Sequence, residues 1–194
     1  MEEHISVIHK IEDDVELKLC PNPSFLLNNK QGGFISLASN RNISHYQGCY
    51  FLKSTNEINW TLFKVIENIK INKKPTHLIN NFSSIERWYG TKKDQTKETY
   101  FMQDDAFLYK LENYDGDIEI SLDCREIHDF DDKGRIYKIT NKKDYIIIEY
   151  TKYFNNDLKG KNYNIYLVIK GCEVYDVLDK WEEIEYNYDK KRGS

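Results

Sequence analysis

The stretch from Ile118 to Arg135, IEISLDCREIHDFDDKGR, constrains the fold more than any other part of the chain. Its first half alternates with period two. Ile118, Ile120, Leu122 and Cys124 fall on one side of a strand, and Glu119, Ser121, Asp123 and Arg125 fall on the other. A dense ionisable group follows: Glu126, His128, Asp129, Asp131 and Asp132. The Asp131-Asp132-Lys133-Gly134 turn then leads to a new apolar run at Ile136, Tyr137 and Ile139. A half-buried strand therefore delivers several charges to one rim of a sheet. At such a rim a β-domain meets a ligand or another domain.

The same signature recurs along the chain. Two alternating pieces, Ile5–Val7 and Val15–Leu19, flank a Glu12-Asp13-Asp14 turn and read as a hairpin or two short strands. Phe25-Leu26-Leu27 leads into the Asn28–Gly33 turn, and Phe34–Leu37 is a strand. Ser39–Ser44 reads as a polar loop and Tyr46–Leu52 as a strand. Ile58–Ile71 fits helical spacing in part, but its β-rich neighbours favour strands. Leu78–Ile85 is a strand or connector, and Trp88–Thr99 a polar loop. Further strands are expected over Tyr100–Tyr114, Ile118–Ile127, Ile136–Ile139, Tyr145–Tyr153 and Tyr163–Ile169. The turns at Tyr114–Asp117, Asp132–Gly134, Asn141–Asp144 and Leu158–Lys161 separate the later ones. Val174, Val177, Leu178 and Trp181 stand at helical spacing and predict one short amphipathic helix near the C-terminus. Ile184, Tyr186 and Tyr188 then alternate, an extended ending. Strands at short spacing with tight turns predict a mainly β, antiparallel β-sandwich, with residues 1–194 as a single domain.

Composition narrows the function classes. The chain has 194 residues, 40% of them hydrophobic and 31% charged, enough for a full core in a soluble fold. A net charge of -4 with dispersed lysines argues against a nucleic-acid partner. No apolar run approaches the about 20 residues that cross a bilayer, so no membrane partner is expected. The acidic, interrupted N-terminus is no secretory signal. Cys20, Cys49, Cys124 and Cys172 lie far apart without a Cys-x-x-Cys pair, which fits buried thiols in a reducing cytoplasm.

Candidate chemistry is sparse. The carboxylates from Asp123 to Asp132 resemble the paired acids of glycoside hydrolysis, but salt bridges to Arg125 and Arg135 are the simpler account. The histidines do not form a metal spacing, and His128 with Asp129 and Asp131 lacks a second cluster to complete a shell. No P-loop, nucleophile elbow or dinucleotide fingerprint occurs, so neither metal nor cofactor is expected. The 27 aromatic side chains (15 Tyr, 9 Phe, 3 Trp) include Trp60, Trp181 and the Trp88-Tyr89-Gly90 motif. Trp88 and Tyr89 are the best candidates for stacking on sugar rings, with burial in a core or domain interface as the simpler role.

Three segments together resemble the N-terminal domain of archaeal and bacterial glycogen-debranching enzymes of the amylo-α-1,6-glucosidase type. They are GGFISLASNRNISHYQGCYFL (32–52), LDCREIHDFDDKGRIY (122–137) and WEEIEYNYDKKRGS (181–194). The first is similar to the family's pattern of a Gly-Gly turn, a strand, a polar loop and a Tyr-His-Gly before an apolar strand. Gln47 stands where the family often has His, and Ser44 and His45 where basic residues are common. The resemblance implies a supersandwich-like β-domain forming the N-terminal part of a longer chain and preceding an (α/α)6 barrel that holds the general acid and base. It implies that these 194 residues alone are inactive, pack on the barrel and shape one side of an α-glucan cleft. The matching positions are Asn42, Tyr46, Asp123, Arg125, Asp129 and Arg135. A stand-alone carbohydrate-binding sandwich, using Trp88 and Tyr89, is the alternative.

Overall fold

The structure is a computed structural model. It describes residues 5–11, 24–39, 42–54, 60–104, 106–127, 129, 134–153, 161–171 and 186–192. The chain is mainly β, in antiparallel sheets, with one short C-terminal helix among the described residues. It divides into two compact units, Met1–Ile127 with Glu185–Ser194, and His128–Ile184.

The first unit contains β1 (Val7–Lys10), β2 (Ser24–Asn28), β3 (Phe34–Ala38), β4 (Gly48–Ser54), β5 (Trp60–Ile71), β6 (Pro75–Asn80), β7 (Ser84–Tyr89), β8 (Thr96–Gln103), β9 (Ala106–Glu112) and β10 (Ile118–Glu126). One sheet has the order β1-β6-β7-β8-β9, the other β10-β5-β4-β3-β2. Their inner faces meet in a sandwich. The Phe25 ring of β2 lies 5.3 Å from that of Tyr100 in β8. Leu27, Ile35, Leu37, Leu78 and Ile85 are also buried, and removing such apolar area from water is the main favourable contribution to this fold.

Local chemistry explains the hairpins. Between β2 and β3 the Asn29 side-chain oxygen accepts from the Gln31 and Gly33 amides at 3.0 and 2.7 Å. Gly32 there adopts φ +88°, a conformation that suits glycine.

Several expectations change. Trp88–Thr99 is not one polar loop: β7 runs through Tyr89, a turn at Gly90 (φ +76°) reverses the chain, and β8 begins at Thr96. Its polarity misleads because Thr96 and Glu98 point into the core, both fully buried. Tyr100–Tyr114 is likewise two strands, broken at Asp104 with φ +41°. Neither Gly nor Pro marks that turn. The described part of Ile58–Ile71 is the single strand β5. Residues 15–19 lie outside the described residues, as do Val174, Val177, Leu178 and Trp181. The extended ending expected at Tyr186 and Tyr188 is replaced by helix α1 (Asn187–Arg192). Asp189 in its first turn and Lys190, Lys191 and Arg192 in its last complement the helix dipole.

The second unit contains β11 (Arg135–Asn141), β12 (Tyr145–Lys152) and β13 (Lys161–Val168), in the order β11-β12-β13. Ile146, Ile148 and Tyr150 form its buried face, and Tyr137 packs on its register partner Tyr150 at 5.1 Å. β12 alternates strictly between buried and less buried residues.

Candidate functional site

The β5 sequence WTLFKVIENIKI places Lys64 and Glu67 inside an otherwise apolar run. Residues three apart in a regular strand point to opposite faces. Register shifts of β5 against β4 and β10 fall in this stretch, and Phe63 to Glu67 are all buried. The shifts bring the Lys64 ammonium and the Glu67 carboxylate into contact. β10 is also irregular: two register shifts flank Leu122, and Cys124 adopts φ +48°. Asp123, Cys124 and Arg125 are consequently all buried, where strict alternation predicts exposure of every second residue.

Lys64 pairs in register with Tyr50 of β4 on one side and Arg125 of β10 on the other. Lys64 donates to Asp123 at 3.2 Å and to the His45 carbonyl at 2.7 Å. Arg125 Nε donates to the same Asp123 oxygen at 2.8 Å. Asn42 donates to the Glu67 carbonyl at 2.8 Å, while its side-chain oxygen accepts from the Ala38 amide at 3.0 Å. The Tyr50 hydroxyl donates to the His45 carbonyl at 3.1 Å, and the Tyr186 hydroxyl donates to Glu67. Among the described residues two cations, Lys64 and Arg125, thus meet two carboxylates, Glu67 and Asp123. Tyr46 sits at the margin, 42% exposed, with its ring 3.9 Å from that of His45.

Burial sets the ionisation of this cluster. It pushes the Glu67 carboxyl up, against the opposing pull of Lys64. It also pushes the Tyr50 and Tyr186 phenols up, so both remain neutral hydrogen-bond donors. The Cys49 and Cys124 thiols are raised by burial too, which keeps them protonated and unreactive. A glycosidase acid must meet the scissile oxygen and its partner the opposite face of the sugar. Glu67 and Asp123, each 4% exposed, instead accept from protein donors beneath covering chain. This arrangement can fix elements against one another.

Gly48 makes the close approach of β4 and β5 possible. Its φ is +140°, and a Cβ there would lie 2.5 Å from the Ile66 carbonyl oxygen and 2.7 Å from Lys64 Cε. Gly48→Ala should therefore destabilise the chain by about 3 kcal/mol, through backbone strain and overpacking. Urea unfolding checks this.

The other candidates lie elsewhere. Tyr89 faces the sandwich interior and belongs to a second buried network. There Glu98 accepts from Arg87 Nε at 2.6 Å, from the Tyr100 hydroxyl at 2.8 Å, from the Tyr109 hydroxyl at 2.7 Å and from Tyr89. Arg87 also donates to the carbonyls of Ala38 and Ser39 at 3.3 and 3.4 Å, joining the two sheets. Burial works against the Arg87 charge, yet Tyr100 and Glu98 hold it protonated. Trp88 faces outward and is half-buried. Its ring stacks on His77 at 5.8 Å, Lys97 Nζ lies 5.5 Å from its centroid, and its N–H donates to Glu86 at 3.0 Å. Asp129 and Arg135 belong to the second unit. Asp129 pairs there with Lys152 at 3.0 Å and Arg135 at 3.6 Å, and accepts from the Tyr150 hydroxyl at 3.3 Å.

Of the positions that the resemblance marks, Asn42, Asp123 and Arg125 lie in the first cluster with Tyr46 at its margin, while Lys64, Glu67, Tyr186 and Asp189 are not among them. A lysine and a glutamate inside the apolar run of β5 were the available signal. Among the described residues no group of three or more His, Cys, Asp or Glu is placed to hold a metal ion. No helix among them is long and apolar enough to cross a membrane. Comparison with known proteins finds no matching family model, curated protein or solved structure.

Proposed function

We propose that this chain is a non-catalytic, cytoplasmic β-sandwich module of a glucan-debranching glycoside hydrolase of the amylo-α-1,6-glucosidase type. In this reading it packs on an (α/α)6 catalytic barrel outside these 194 residues and shapes one side of the α-glucan cleft. One observation carries the reading. Parts of all three resembling segments converge on the same buried cluster: Asn42 and His45 from the first, Asp123 and Arg125 from the second, Tyr186 and Asp189 from the third. Residues brought together from such separated positions act as one structural unit, and Tyr46 is its exposed edge. The protein-bound carboxylates of the cluster fit a supporting role.

A second reading, the stand-alone sugar-binding sandwich, draws on Trp88. Its row on the outer face, His77-Trp88-Lys97, offers an aromatic edge beside polar donors. Electrophoresis through glycogen-containing gels separates the two. Retardation of the chain that Tyr46→Ala abolishes, with unchanged thermal unfolding, supports the cleft-shaping module. Loss of retardation in Trp88→Ala instead supports the second reading, and a chain that glycogen does not retard at all counts against both.

A further inference from the structure

Asp189 is the hub between the C-terminal segment and the rest of its unit. One carboxylate oxygen accepts from the Ser44 hydroxyl at 2.8 Å. The other accepts from the His45 amide at 2.7 Å and lies 2.7 Å from His45 Nδ1. Donors from two consecutive residues thus converge on a single carboxylate, a strong arrangement because the acceptor is charged. The turn that presents them is itself fixed. The Ser44 carbonyl accepts from the Gln47 amide at 3.0 Å, and the Gln47 side chain accepts from the Ile43 amide at 2.7 Å and donates to Ser24 at 3.0 Å. A second anchor, the hydrogen bond from Tyr186 to Glu67, ties the same segment to the ionic cluster. Beyond these anchors, the Tyr188, Lys190, Lys191 and Arg192 side chains face solvent. A helix of six residues has little stability of its own in water, so its structure depends on the anchors.

We propose that Tyr186–Arg192 is a releasable strap over the Lys64–Glu67–Asp123–Arg125 cluster, latched by Asp189 in a carboxylate cradle formed by Ser44 and His45. This goes beyond the glucan reading and rests only on geometry within the first unit. When the strap leaves, the cradle is open to a small carboxylic acid from outside, and Glu67 loses its phenolic partner.

Charge sets the conditions. Burial opposes the Asp189 charge, yet the His45 amide, the Ser44 hydroxyl and the His45 ring hold its carboxyl below the usual range. A depressed pKa in the closed state means that the latch contributes fully above the ordinary carboxylate value of about 3.9 and is lost as pH falls through the lowered one. Among the described residues the ionisable groups around the strap are His45 and Tyr46 on the turn, Tyr50 on β4, Lys64 and Glu67 on β5, Asp123 and Arg125 on β10, and Tyr186, Tyr188, Lys190, Lys191 and Arg192 with Asp189 on the segment itself. Glu67 acts in the opposite sense, because burial raises it.

The test is residue-resolved amide exchange by NMR on the full chain at neutral pH. It compares wild type with Asp189→Ala, the variant with and without sodium formate. The expected result is exchange of the His45 amide roughly tenfold faster in the variant, the equivalent of one lost charge-assisted hydrogen bond. Formate should restore much of the protection, and the amides of β7 and β8 should not change. Undiminished protection at His45, equal loss across β7 and β8, or failure of formate to restore it would each overturn the strap.

Discussion

Glu98→Ala should lower the stability of the chain by about 3–5 kcal/mol, the loss expected when one partner of a buried ion pair is removed. Glu98 is fully buried, and Arg87 is 3% exposed. The truncation leaves the Arg87 guanidinium in the sandwich interior without its counter-charge. It also strips the acceptor from the hydroxyls of Tyr89, Tyr100 and Tyr109. Glu98→Gln keeps the shape and one acceptor oxygen but not the charge, so its loss should be smaller, about 1.5–3 kcal/mol. The double variant Arg87→Met/Glu98→Leu should be more stable than Glu98→Ala, because it leaves no uncompensated charge behind. Urea unfolding of the three variants checks the order. Equal stability of Glu98→Ala and wild type would show that this network adds nothing to the join between the sheets.

The second large effect is at Lys64. Lys64→Ala should destabilise by about 3–5 kcal/mol, since Glu67 and Asp123 then share the interior with Arg125 as the remaining cation of the quartet. The loss should depend on pH in a defined direction. Burial already raises the Glu67 carboxyl, and Lys64 pulls against that rise. Without Lys64 the native-state pKa of Glu67 climbs further. A carboxyl raised in the native state favours folding at low pH and penalises it as pH rises through its unfolded value of about 4.3. The difference between wild type and Lys64→Ala should therefore shrink toward acid and be largest above neutrality. Thermal unfolding across pH reads this directly.

How much of this was legible follows from where side chains point. Phe34–Leu37 and Tyr145–Tyr153 read as strands because one face is buried and the pattern is clean. The strand at Thr96 was hidden because its inward residues are themselves polar, and a buried glutamate reads as solvent-facing. The break at Asp104 was hidden because no Gly or Pro marks it. Helix α1 was hidden because Tyr186 and Tyr188 alternate, although Tyr186 precedes the helix and its hydroxyl serves Glu67. The cluster itself was only half visible. Asp123 and Arg125 stood out as charges on an alternating strand, yet the bulge that buries both depends on β5, some sixty residues earlier in the chain. Pairings over such separations are set by register, and a single sequence does not display register.

Saturation-transfer NMR of a branched α-glucan limit dextrin in the presence of the purified chain, followed over hours, tests directly whether the chain is a non-catalytic glucan module. Saturation transfer from protein to glucan protons is expected, with no growth of the free-glucose anomeric signal. Glucose that accumulates in proportion to the chain concentration would contradict a non-catalytic module, and absence of both signals would contradict its place on a glucan.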